Sequence, residues 1–101
     1  MSRLYEMHAT ISKFDKTKAD EIEEAANDEW NWKTNSGGNE EISLIGQDNL
    51  CGGESEEHFA NRLAAAIFDA NGGPCEIHVN AICMEDLPYE SYHFDKDKLP
   101  R

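Results

Sequence analysis

Residues 55–73 constrain this chain most, because they carry a helical apolar pattern with a signal at each end. Ser55 can accept a hydrogen bond from the first turn, and Glu56 and Glu57 place negative charge beside its exposed N–H groups. Phe59, Leu63, Ala66, Ile67 and Ala70 recur at steps of three and four, so one face is apolar and needs a partner. Asn71, Gly72, Gly73 and Pro74 then stop the helix, since glycine accepts the left-handed conformation and proline cannot continue the ladder. Beyond them Cys75, Ile77, Val79, Ala81 and Cys83 alternate with Glu76, His78 and Asn80, the period of a strand with one buried face.

The start of the chain has the same alternation. Tyr5, Met7, Ala9 and Ile11 share one side, and Glu6, His8, Thr10 and Ser12 share the other. A turn at residues 15–18 follows, with Asp15 or Thr17 as the cap of a helix over residues 18–29. Its apolar stripe is narrow: Ala19, Ile22, Ala26 and Trp30. Residues 30–34 alternate again and residues 35–39 are rich in turn formers, so a hairpin is expected between 30–34 and 41–46. Residues 47–54 read as a loop with Leu50 as a core plug. A competing arrangement continues the first helix past Trp32 and leaves a three-stranded sheet.

The order strand, helix, strand, strand, helix, strand is that of a ferredoxin-like βαββαβ domain. The expectation is α+β, one domain over residues 1–101, with both helices on one face of an antiparallel sheet and the other face open. Residues 86–101 are read as a C-terminal extension whose aromatics pack on the sheet or add an edge strand. A length of 101 residues suits a single modest core. No apolar run approaches the roughly 20 residues of a membrane span and no signal-peptide block opens the chain, so a cytoplasmic setting is expected.

The three cysteines show no C-x-x-C pair. On one strand Cys75 and Cys83 would lie about 26 Å apart, too far for a disulfide. All three are read as reduced thiols.

Charge narrows the function. The formal net charge is −12, with 11 acids and five bases in residues 1–50 and ten acids and four bases in residues 51–101. That balance opposes direct contact with nucleic acid or an anionic membrane and favours a basic protein surface. The helix over residues 18–29 concentrates it: Asp20, Glu24 and Asp28 are spaced i, i+4, i+8, with Glu21 and Glu23 beside them. Charges repeating each turn roughly match phosphates along a strand, so this face is a candidate nucleic-acid mimic aimed at a nucleic-acid-binding protein. The plain alternative is a solvated helix face. Trp30, Trp32, Tyr89 and Tyr92 are candidate aromatic anchors, with core or edge packing as the alternative, and Glu85 and Asp86 add carboxylates suited to arginine.

Enzymatic chemistry has little support. No serine lies in G-x-S-x-G, no P-loop is present, and no cysteine motif suggests a nucleophile. His8 and His78, with Glu6 and Glu76, would meet on the open face if the first and last strands are neighbours, which gives a weak metal or acid–base alternative. No cofactor is expected.

Gly52-Gly53-Glu54-Ser55-Glu56-Glu57-His58-Phe59-Ala60-Asn61-Arg62-Leu63, then Asn71-Gly72-Gly73-Pro74-Cys75 and Leu87-Pro88-Tyr89-Glu90-Ser91-Tyr92, resemble a group of uncharacterised small acidic proteins of phages, prophages and other mobile elements. The likeness covers roughly the second half of the chain. It implies a setting in which short acidic proteins inhibit host defence, anti-CRISPR proteins included, and it maps no functional residue. The alternative in that setting is a structural or regulatory accessory protein that dimerises through a sheet edge.

Overall fold

The central strand, β1 (Arg3–Ser12), alternates as its sequence dictates: Tyr5, Met7, Ala9 and Ile11 are buried, while Glu6, His8, Thr10 and Ser12 face the other way. The computed structural model describes residues 3–37, 40–50, 55–83 and 90–100. After β1 a single 3₁₀ turn (Lys16–Lys18) leads into α1 (Ala19–Glu29). Then come β2 (Thr34–Gly37), β3 (Glu41–Leu50), α2 (Glu56–Asn71), β4 (Glu76–Cys83) and β5 (Glu90–Phe94).

The five strands form one antiparallel sheet in the order β2-β3-β1-β4-β5. Ala9 sits opposite Leu44 on one side and Val79 on the other, and Val79 faces Tyr92. This row shows which face is inward. Ile42, Leu44, Ile77, Val79, Ala81 and Phe94 join the β1 residues there, and the helices cover them with Ile22 and Ala26 of α1 and with Phe59, Leu63 and Ile67 of α2. Each large aliphatic or aromatic side chain so buried contributes about 1.5–3 kcal/mol.

α2 begins and ends where its residues require. Ser55 Oγ accepts the backbone N–H of His58 at 3.1 Å, and Gly72 closes the helix at φ 79°, a left-handed conformation that favours glycine. Its buried stripe runs through Ala60 and Ala64 rather than Ala66 and Ala70, which are half-buried, so the helix is rotated slightly from the expected face. Asp15 caps the 3₁₀ turn by accepting from the Thr17 N–H, and Lys18 precedes α1 with no side-chain cap.

One α+β domain with two helices over an antiparallel sheet is as expected, but three details are corrected. The sheet has five strands, because residues 90–94 pair with β4 from Ile77↔Phe94 to Ala81↔Glu90, so the chain is not a plain four-stranded βαββαβ unit. The hairpin is displaced. Residues 30–33 lie outside β2, α1 ends at Glu29, and the strand is Thr34–Gly37. β3 runs on through Gln47–Leu50, expected as loop, because those residues pair with Arg3–Glu6 of β1. The side chains of Leu50 and Cys83, and Cys51 altogether, lie outside the described residues. Among the described residues no helix is long and apolar enough to cross a membrane.

Candidate acidic interface

α1 is narrow in its burial. Only Ile22 and Ala26 are fully enclosed, which leaves Asp20, Glu21, Glu24 and Asp28 exposed along the outer face. Among the described residues none of these four carboxylates has an ion-pair partner. The helix itself has no basic residue in its last turn; the cation there comes from α2, where Arg62 pairs with Glu29.

The end of α1 is held by two tryptophans. Trp30 is buried against Phe59 of α2, ring centroids 4.9 Å apart, and its Nε1–H donates to the Gly46 carbonyl of β3 at 3.0 Å. Trp32, half-buried, donates Nε1–H to the Ala26 carbonyl at 2.9 Å. Both indoles thus find the partner a buried N–H requires, and the 30–33 segment becomes a strap between helix and sheet. Gly46 permits it: a Cβ there would lie 2.7 Å from Trp32 Cα and closer still to the Asn31 carbonyl. On the α2 side Arg62 reaches across to Glu29 and stacks over the Phe59 ring at 5.3 Å.

These contacts leave a concavity of about 440 Å³ at the end of α1, whose lining includes Asp28, Glu29, Asn31, Trp32 and Asp48. Asp48 comes from β3, beyond the expected hairpin, and was not among the expected site residues. The signal that could have found it is the isolated Gly46 in an alternating run, which marks a close backbone approach rather than a turn.

The expected site residues are not all brought together. Asp20, Glu21, Glu24, Asp28 and Trp32 belong to α1 and the strap that follows it. Tyr92 lies in β5, at the opposite edge of the sheet from β2, on the helix-covered face and half-buried against the core. Burial first, then Glu56, Glu90 and Glu57, raise its phenol above the ordinary value. Glu85, Asp86 and Tyr89 lie outside the described residues.

On the open face β1 and β4 are neighbours, as expected, and His8 and His78 are offset by two residues in register. His8 sits opposite Asn80 and His78 opposite Thr10. His8 pairs at 2.8 Å with Glu6, whose carboxyl is held below its usual range by that hydrogen bond and by one from Gln47. His78 instead faces His93 of β5, ring centroids 5.6 Å apart, and His93 lies 3.8 Å from Glu76. Glu76 is also lowered, chiefly by its hydrogen bond from Lys13 at 2.5 Å. Among the described residues no group of three His, Cys, Asp or Glu side chains is placed to hold a metal ion. Cys75 is buried and free, and burial pushes its thiol up to about 11, the opposite of what a nucleophile needs.

No protein-family model, no curated protein and no solved structure matches the chain.

Proposed function

We propose that this chain is a non-enzymatic binding protein of phage or mobile-element origin, an inhibitor of host defence of the anti-CRISPR kind, that docks α1 on a basic nucleic-acid-binding surface. The observation that carries the reading is the row Asp20, Glu21, Glu24 and Asp28. All four are exposed, and among the described residues none is ion-paired. Like charges one turn apart disfavour an isolated helix by a few tenths of a kcal/mol per pair, and a cationic partner relieves that repulsion. The formal charge of −12 supports rapid, salt-sensitive encounter with such a partner. In this reading β1–β4 with the two helices are a ferredoxin-like unit, and β5 is an addition at its edge.

The test is affinity capture from a bacterial host lysate at low salt, comparing wild type with a Glu21→Lys, Glu24→Lys, Asp28→Lys variant. Recovery of a nucleic-acid-binding complex by wild type alone, lost as salt rises, supports docking through α1. Equal recovery by both proteins removes it.

One observation favours a second reading. Among the described residues the sheet ends on two strands, β2 and β5, that pair on one side only, so a homodimeric accessory protein joined edge to edge is the alternative. Sedimentation at two salt concentrations separates the two: an edge-paired dimer persists in high salt.

A further inference from the structure

We infer that the concavity at the C-terminal end of α1 is an arginine socket, and that the basic partner inserts a guanidinium group there. This rests on the proposed docking of α1 and names the group that docking would grip. Four features converge on a planar cation. Asp28 and Asp48 supply carboxylates from two different elements, α1 and β3, on the lining of one concavity. The Trp32 indole lines the same space and is fixed by its bond to the Ala26 carbonyl, so it offers an aromatic surface that needs no ordering on binding. The carbonyls of Asn27, Asp28 and Glu29 accept no hydrogen bond among the described residues and form the negative end of the helix. Beside it, the chain already holds a guanidinium by the same chemistry: Arg62 pairs with Glu29, which lines the socket, and lies over an aromatic ring.

Arginine fits this set better than lysine. Its flat fork can bond two acceptors at once while its face stacks on an indole, whereas an ammonium acts as a compact, strongly hydrated point charge. The strap that builds the socket is pinned to the sheet at Gly46, so the acceptors are held in place before a partner arrives.

The experiment titrates the full chain with hexa-arginine and with hexa-lysine at low salt, following the Trp32 indole N–H by NMR. Asp48→Asn and Asp28→Asn are the variants. Each keeps side-chain shape and a carbonyl oxygen, and Asp48→Asn can still accept the Asn49 N–H. The expected result is a shift of the Trp32 signal by hexa-arginine and tighter binding of hexa-arginine than of hexa-lysine. Each variant should lose about tenfold in hexa-arginine affinity, with a smaller loss for hexa-lysine. Two results overturn the socket and leave docking through α1 standing: equal binding of the two peptides, or shifts confined to Asp20, Glu21 and Glu24 with Trp32 unmoved. Failure of both peptides to bind overturns both.

Discussion

The indole of Trp30 donates to the carbonyl of Gly46, and a Cβ on the same glycine would run into the Asn31–Trp32 backbone. One residue therefore accepts a hydrogen bond from the strap and makes room for it. A side chain at position 46 meets backbone on the other side, which cannot swing away as the end of a flexible side chain could. Gly46→Ala is expected to lower stability by about 1–3 kcal/mol, the usual range for forcing an extra group into a packed interior. The check is the urea midpoint followed by the fluorescence of the two tryptophans. An unchanged midpoint would mean that the strap does not rest on β3.

Ser55 caps α2 by accepting the His58 N–H, in a helix that supplies Phe59, Leu63 and Ile67 to the core. Ser55→Ala should cost about 1 kcal/mol, and Ser55→Asp should restore most of it, because an aspartate accepts the same bond and adds negative charge at the positive end. Thermal unfolding of the three proteins measures the difference. A loss that Asp does not recover would place the effect outside the cap.

Much of this fold was legible because local pattern and tertiary burial agree. The alternation in β1 and β4 predicts their buried faces, and Ser55 and Gly72 mark the ends of α2. Residues 30–33 misled for a physical reason. Trp30 and Trp32 alternate like strand residues, yet their N–H groups are satisfied by Gly46 and Ala26 in a strap, so burial of the indoles, not ladder pairing, sets the local path. The stretch from Gln47 to Leu50 misled in the opposite direction. Asp48 and Asn49 suggest a loop, but β1 offers backbone partners to all of Gln47–Leu50. The acidic row on α1 was readable from spacing alone, whereas the placement of Asp48 beside its C-terminus depends on the length of β3, which only the assembled sheet fixes.

Acid should weaken the fold. Glu6 and Glu76 have carboxyls lowered from 4.5, the first chiefly by hydrogen bonds from His8 and Gln47 and the second by Lys13. A group whose folded pKa is depressed takes up its proton more readily when unfolded, so its contribution is present above 4.5 and is lost as pH falls below that value. Urea midpoints are expected to decline from pH 6 to pH 3.5, with a shallower decline in the Glu6→Gln, Glu76→Gln double variant. Parallel declines would assign the acid sensitivity to other carboxylates.

Cys75 should be inert in the folded protein. Its thiol is raised from 9.0 to about 11 by burial, so at pH 8 almost none is thiolate. In a Cys51→Ser, Cys83→Ser background, a thiol-reactive disulfide reagent is expected to label it only after denaturant is added. The same shift has a stability consequence at high pH. Between 9 and about 11 the unfolded chain loses the proton first, so stability falls as pH rises through that window. Rapid labelling of the native protein would show that the residue is not enclosed by the core.

Glu24 separates binding from folding. It stands between Asp20 and Asp28, one turn from each, and it is exposed. Glu24→Lys replaces two repulsive i, i+4 pairs with two attractive ones, so it should stabilise the protein by about 0.5–1 kcal/mol. If α1 docks on a basic surface, the same substitution should weaken capture of the partner, because it places a cation in the centre of the contact. Gain of stability together with loss of binding is the signature of a face whose charges serve a partner at a cost to the helix. A solvated face gives the first effect without the second. Denaturant midpoint and low-salt capture, measured on one preparation, decide between them.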